Sequence, residues 1–341
     1  MTRPTVSVIV PVYNRAHLIG QTLAALLAQT RSADEIIVVD DGSTDGSAAV
    51  ARTFGSAVQV VEMPNGGPAL ARNRGLAEAA GDFVQFMDSD DLPTPHFLAA
   101  RLDALADSNA DIAYGSWIPA WITGSAAATD GFVRQTAAVD SPLDAFLRGW
   151  ILFVPNAMIR RSLLQAVGGY PEGLLTGEDM LLLFRLLRRT KRIAYTARSL
   201  LLIRQHPEGQ ISASAALTNQ RIVDELVLTG LVRLALKEAA HDAVASRGAL
   251  RAWETRRARA FARARRNGIA PPPEAGPPPN LLIKSLAAVE LLSVRIVARL
   301  RQHRNGHRLE EHFHAAPIGP EHICEVRGLG LDLQQKRSPS L

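Results

Sequence analysis

The stretch "FMDSDDLP" sets three carboxylates, Asp88, Asp90 and Asp91, within four positions, directly after an apolar run. Such charges repel one another, and no cationic residue stands beside them in the chain. Either a solvated turn or a cation brought by a ligand would relieve the repulsion. Hard divalent ions take oxygen ligands, and Mg2+ is commonly held by one or two carboxylates together with substrate phosphates. Asp88 and Asp90, two apart at a strand end, suit such an ion or the hydroxyls of a nucleotide ribose. Asp91, before Leu92-Pro93, reads as a helix cap or turn acid. Arg72 and Arg74 could pair with a diphosphate, Tyr13 could stack on a base, and Asp41 could accept a hydrogen bond from a base imino group. Each also has a plainer reading. Asp41 before Gly42 suits a turn, Tyr13 a half-buried aromatic position, and Glu178 with Asp179 the positive end of a helix.

The elements needed to bring these residues together are legible in the periodicity. "VSVIV" (6–10), "EIIVVD" (35–40), "VQVVEM" (58–63) and "DFVQFM" (82–87) are short, β-branched and strand-like. Between them, 17–29, 45–54 and 67–81 have helical spacing, with Asp45 or Thr44 as an N-cap and Gly81 as a stop. Strands alternating with helices imply right-handed crossovers and a mostly parallel sheet covered on both faces. Ligands of such sheets bind outside the carboxyl ends of the strands. The polar clusters "PVYNR", "DDGSTD", "PNGGPALARNRG" and "DSDD" each follow one of the four strands, so all four converge on one crevice. Farther on, 111–117 reads as a strand, 141–150 as a helix, 153–175 as loop, strand and helix, 177–190 as a helix opening with two acids, and 192–206 as extended. No Gly-x-Gly-x-x-Gly follows the first strand and no phosphate-binding Gly-Lys loop is present, which argues against a dinucleotide enzyme or a P-loop protein.

The 341 residues exceed a usual single domain, so one large domain with an appendage is expected. The single cysteine, Cys324, precludes an intrachain disulfide and fits a reducing compartment. The apolar run before Pro11 is too short for a signal peptide. Charge is uneven: residues 1–221 carry 19 basic and 21 acidic side chains, residues 222–341 carry 19 and 12. The C-terminal excess suits an anionic surface or a solvated helix face. The reading there is a basic helical extension over 216–270, a proline-rich linker over 271–279, an amphipathic basic helix over 280–304 and a poorly ordered tail over 305–341. Lys284, Glu290, Arg295 and Arg299 interrupt the 280–304 helix too often for a bilayer span. It lies on a membrane, on the catalytic domain or on a second chain. Nucleic acid is not expected, since no binding motif accompanies the charge.

"VSVIVPVYNRAHLIGQTLAALLAQT", "DEIIVVDDGSTDGS", "NGGPALARNRGLAEAAGDFVQFMDSDD" and "TGEDMLLLFRLL", in order and in register over about residues 5–215, resemble family 2 glycosyltransferases of the GT-A fold. The resemblance implies an α/β catalytic domain over 1–215, with a nucleotide-binding part to about 110 and an acceptor part after it. Asp88-Ser89-Asp90 matches the family's Asp-x-Asp motif, which makes Asp90 the implied ligand of Mn2+ or Mg2+ and Asp88 a partner either of the ribose or of the groups surrounding the metal's direct ligands. Asp41 matches the position that recognises the nucleobase, with Pro11 and Tyr13 lining the base site. Asp179 matches the base that activates the acceptor, and His206 resembles a histidine that helps hold metal or diphosphate. Asn156, Trp150 and Glu178 could line the acceptor site.

The implied activity is a metal-dependent, inverting transfer of a sugar from a nucleotide-diphosphate donor to a hydroxyl of a saccharide or lipid-linked acceptor. Synthesis of a bacterial cell-surface polysaccharide or glycolipid would suit it, in the cytoplasm or at the inner face of the membrane. The alternative is a catalytically silent protein that binds nucleotide sugars or serves as a membrane-surface scaffold. A nucleotidyltransferase on a related sheet would need a Gly-rich, Lys/Arg-bearing loop near the N-terminus, and none is seen.

Overall fold

A computed structural model describes residues 3–135, 139–150, 152–205, 218–238, 245–278 and 314–335. The first half alternates as its periodicity dictates: β1 (Val6–Val12), α1 (Ala16–Leu27), β2 (Glu35–Asp40), α2 (Ser47–Arg52), β3 (Gln59–Glu62), α3 (Pro68–Glu78) and β4 (Phe83–Phe86). These strands lie parallel in the order β3-β2-β1-β4. The two-residue period of a strand sends alternate side chains to opposite faces. Ile9, Ile37 and Val39 enter one core, with Ala69, Ala71 and Leu76 of α3. Val8, Val10, Ile36 and Val38 enter the other, with Ile19, Leu23 and Leu26 of α1. The apolar runs in β1 and β2 follow from that double burial.

After the two-residue β5 (Leu92–Pro93) come α4 (Phe97–Ser108) and β6 (Ile112–Thr123). Asn109 ends α4 in a left-handed conformation, φ 47°. Then follow β7 (Ala126–Thr129), β8 (Phe132–Gln135), α5 (Pro142–Leu147), β9 (Ala157–Arg160), α6 (Arg161–Ala166), α7 (Glu178–Leu187) and β10 (Ile193–Arg204). Here the sheet is mixed. β9 runs antiparallel to both β4 and β6, while β10 is parallel to β6, with an irregularity between Thr196 and Leu200. The strand expected over 111–117 extends to Thr123 because its second half is paired by β7 and β10. The carbonyl of Ser199 lies 2.4 Å from where a Cβ on Gly115 would stand, so that approach needs glycine.

The C-terminal part departs from expectation in two places. α8 (Thr218–Glu238) and α9 (Arg247–Arg266) occupy the stretch read as a basic helical extension, and they pack into the core of the preceding sheet and helices. Trp253 stacks on Phe146 of α5 at 5.6 Å, and Leu228, Val232 and Ala249 join the core beneath α7. The proline-rich segment, read as a linker, packs instead on α8 over residues 271–278. Ala275 is fully buried, and the buried Arg257 donates to the carbonyls of Ala275 (2.8 Å) and Pro277. Prolines supply carbonyl acceptors without N–H donors, and a guanidinium inside the fold satisfies them.

The expectation of a disordered tail is corrected over 314–335. β11 (His314–Pro317) adds antiparallel to β8, and the helix Pro320–Arg327 leads into β12 (Asp332–Gln335), which adds parallel to β7. Val326 and Leu331 are buried among Ile118, Ala120, Ala127 and Leu202, and Glu325 Oε1 meets His96 Nδ1 at 2.6 Å. The segment's apolar content is low because borrowed strand pairing and a third small core stabilise it. The 280–304 helix lies outside the described residues. Among those described, no helix is long and apolar enough to cross a membrane.

Candidate active site

Backbone groups at the carboxyl ends of β1 and β2 are tied to each other by short polar side chains. The Asn14 N–H donates to Ser43 Oγ (3.0 Å), Thr44 N–H to Asn14 Oδ1 (2.9 Å), Arg15 N–H to Ser47 Oγ and Ala16 N–H to Asp45 Oδ2 (each 2.8 Å). Asn14 is left-handed, φ 51°, a conformation asparagine tolerates. Asp45 thus braces α1 as well as the start of α2, whose N-cap position is Gly46. The crossing leaves Tyr13 49% exposed at the lip of the crevice and Pro11 half-buried behind it. Asp41 is buried, its two carboxylate oxygens accepting the Gly66 and Gly67 N–H groups at 2.7 and 2.9 Å. It pins the loop before α3; each oxygen keeps one further lone pair.

The acidic turn after β4 divides three ways. Asp88 and Asp90 keep their side chains 30% and 19% exposed. Between them Ser89 is buried, its carbonyl accepting Thr22 Oγ1 of α1 at 3.0 Å. Arg204, at the end of β10, clamps the far side: its Nε donates to Asp90 O (2.8 Å) and its backbone N–H to Asp91 Oδ1 (3.0 Å). Asp91 is 2% exposed, so it is not a solvated turn acid. Burial first, then the charges of Asp90 and Asp88, push its carboxyl well above the usual range. Arg15 Nε stands 3.5 Å from Asp90 Oδ2.

Arg72 of α3 is the hub. Its Nη2 donates to Asp88 Oδ1 at 2.9 Å, its Nη1 lies 3.4 Å from Glu178 Oε1, and its guanidinium sits 5.0 Å over the Tyr170 ring. Burial works to lower its pKa, but the carboxylates of Asp179, Asp88 and Glu178 outweigh it and raise the pKa, which keeps Arg72 cationic. Glu178 and Asp179 open α7 after Gly177, a left-handed residue at φ 82°. Glu178 is 9% exposed, and burial, followed by the neighbouring Asp179 charge, pushes its carboxyl up to about 7. Asp179 is half-buried and accepts the Tyr170 hydroxyl on Oδ1 at 2.8 Å. Burial also raises the Asp88 pKa, against the pull of Arg72.

The structure therefore brings together Asp88, Arg72, Glu178 and Asp179, while Asp90 and Arg15 stand at the outer end of the same turn. Arg74 does not belong. Two residues along a helix is a turn of about 200°, and Arg74 points outward to Glu78 (2.7 Å). Asn156 also leaves the acceptor list. It is 2% exposed, donates to Gly115 O (2.6 Å) and accepts from the buried Arg101, so its bonds are spent inside. Trp150 packs edge-on against Tyr114 at 6.1 Å. His206 lies outside the described residues. Tyr170, Asn73, Arg15 and Arg204 were not found from sequence. The signal for Tyr170 was the pair Gly168-Gly169 before it, both at positive φ.

Among the described residues no three His, Cys, Asp or Glu side chains converge as a closed metal shell. The donor set fits an open one. Two partly exposed carboxylates at a turn are the hard oxygen ligands that Mg2+ or Mn2+ takes beside substrate phosphates.

Residues 7–168 match the family model described as Glycosyl transferase family 2. The glycosyltransferase AglE of Haloferax volcanii is 30% identical over 187 residues, 52% of this chain and 60% of that protein. GlyG of Streptococcus pneumoniae is 34% identical over 116 residues, 33% of this chain and 38% of that protein. The chain thus spans less than two thirds of these relatives. In structure it is similar to S. aureus TarS 1–349 in complex with UDP-GlcNAc (TM-score 0.60, 24% identity, 77% of this chain and 74% of that one). It is also similar to the mannosyltransferase PcManGT of Pyrobaculum calidifontis in complex with GDP-Man and Mn2+ (TM-score 0.55, 23% identity, 89% and 83%). These likenesses show the GT-A fold.

Proposed function

From the premise that residues 7–168 are a family 2 glycosyltransferase domain, we propose that this protein transfers a sugar from a nucleotide-diphosphate donor to a hydroxyl acceptor, with inversion at the anomeric carbon. The observation that carries the reading is the cluster around Arg72. It joins the strand-end carboxylate Asp88 to Glu178, 106 residues from Arg72 in sequence, and sets Asp179 beside them. A donor side and a proton-accepting side meet in one crevice.

Tyr13 and Pro11 line the base site, Asp88 holds the ribose, and Arg15 and Arg72 face the diphosphate. Asp179 takes the acceptor proton as that oxygen bonds to the anomeric carbon, and the bond from that carbon to the diphosphate oxygen breaks. General-base help of this kind is worth ~10²–10⁴-fold. A Mn2+ or Mg2+ ion held by Asp90 would supply Lewis-acid neutralisation of the leaving diphosphate. The acceptor is a saccharide or lipid-linked hydroxyl. Arg247, Arg251, Arg265 and Arg266, exposed on α9 and in no ion pair among the described residues, suit an anionic membrane surface.

The test is a panel of nucleotide sugars that includes UDP-GlcNAc and GDP-mannose, with and without Mn2+, read as thermal shift and as release of nucleoside diphosphate. A selective donor raises stability by mass action. Asp179→Asn should abolish release while donor binding stays within about twofold, since the base acts on the acceptor. Full turnover by this variant removes Asp179 as the base, and no response to any donor removes the reading.

A further inference from the structure

Tyr170 has no assigned role, yet four separate interactions fix it. Its backbone is clasped by Asn73, the residue after Arg72: Tyr170 N–H donates to Asn73 Oδ1 at 2.7 Å, and Asn73 Nδ2 donates to Tyr170 O at 2.9 Å. The turn before it is Gly168 (φ 78°) and Gly169 (φ 68°), and a Cβ on Gly169 would stand 2.6 Å from Asn73 Oδ1. Its ring packs edge-on against Phe86 of β4 (5.0 Å, 88°) and carries the Arg72 guanidinium on its face. At 1% exposure it is held as firmly as the core. The one polar atom of that side chain, the hydroxyl, donates to Asp179 Oδ1 at 2.8 Å.

A carboxylate that serves as a base needs one oxygen free and the group held still. A buried phenol supplies a hydrogen bond to the ionised form and fixes the rotation of the carboxylate plane, at no reorganisation cost during the reaction. Asp179 Oδ2 takes no hydrogen bond among the described residues, so the tie to Oδ1 also selects which oxygen meets the acceptor. We propose that Tyr170 is a positioning residue for Asp179: its hydroxyl holds Oδ1, leaving Oδ2 to take the acceptor proton, and Asn73 with the two glycines holds Tyr170. The inference rests on the reading of Asp179 as the base.

Ring and hydroxyl are separable in Tyr170→Phe, which keeps the packing on Phe86 and Arg72. With the nucleotide sugar turned over in the panel above, kcat should fall ~10-fold, a hydrogen bond to a charged group being at stake, with donor KM and calorimetric nucleoside-diphosphate affinity unchanged. Asn73→Ala, which frees the Tyr170 backbone and spares its hydroxyl, should lower kcat in the same direction with donor affinity kept, and supplies the readout if Tyr170→Phe does not fold. An unchanged kcat in a folded Tyr170→Phe overturns the inference. So does a loss confined to donor affinity, which would assign Tyr170 to Arg72 and Asp88 instead. Inactive Asp179→Asn beside wild-type Tyr170→Phe removes this inference alone, whereas active Asp179→Asn removes the base assignment on which it stands.

Discussion

Arg72 and Arg74 are the same residue type two positions apart, and their surroundings separate them. The Arg72 side chain is 6% exposed between Asp88 and Glu178, while that of Arg74 is 52% exposed beside Glu78. Removing one partner of a buried ion pair leaves the other charge uncompensated and costs ~3–5 kcal/mol, less where water reaches one partner as it does Asp88. Arg72→Met should lose about 2–3 kcal/mol in urea denaturation and abolish nucleotide-sugar turnover. Arg74→Met should change stability by under ~0.5 kcal/mol and leave turnover intact. Glu178 gives a pH signature. Its carboxyl is raised from 4.5 to about 7, chiefly by burial, so the folded state holds the proton more tightly than the unfolded chain. The stability it contributes is complete below the unfolded value and is lost as pH rises through about 7. Glu178→Gln should therefore flatten the fall in unfolding free energy between pH 4.5 and about 7 by a few kcal/mol, read from denaturation midpoints. An equal slope in both proteins would remove Glu178 as its source.

Elements carry these residues to the crevice by close packing. α3 presents Arg72 and Asn73 toward the site only because Gly75, one turn on, lets the helix lie against β1. A Cβ there would stand 2.3 Å from Ile9 Cγ2 and 3.2 Å from Val39 Cγ2. Gly75→Ala should destabilise by ~1–3 kcal/mol through overpacking, whatever alanine's better helix propensity adds. A stabilised variant would show that α3 can move away from the sheet. This level was the most legible in the sequence. β2 was read with its bounds intact, and α1, α3 and β4 differ by a few residues at their ends, because apolar periodicity is local. β7, β8 and β12 were not read: "AAAT" and "DLQQ" have little strand character, and pairing with β6 and β7 makes them strands.

At the scale of the whole molecule, the α8–α9 pair is part of the main hydrophobic core. Trp253 is 1% exposed and shares one core with Phe146, Leu182 and Ile9. Trp253→Ala should cost about 3–5 kcal/mol and lower a single cooperative transition. Two separate transitions would mean that the helical pair unfolds as an independent domain.

The sequence by itself determined the alternation of strands and helices, the parallel half of the sheet, the convergence of four polar clusters at its carboxyl edge and the family they resemble. Those are consequences of short-range periodicity and of topology. Only the tertiary structure decided that Asp91 and Asn156 are spent inside, that Tyr170 reaches Asp179, that the proline-rich segment is docked, and that residues 314–335 complete the sheet. Each depends on burial or pairing between residues far apart in the chain. Identical side chains acquire different roles there, according to what surrounds them.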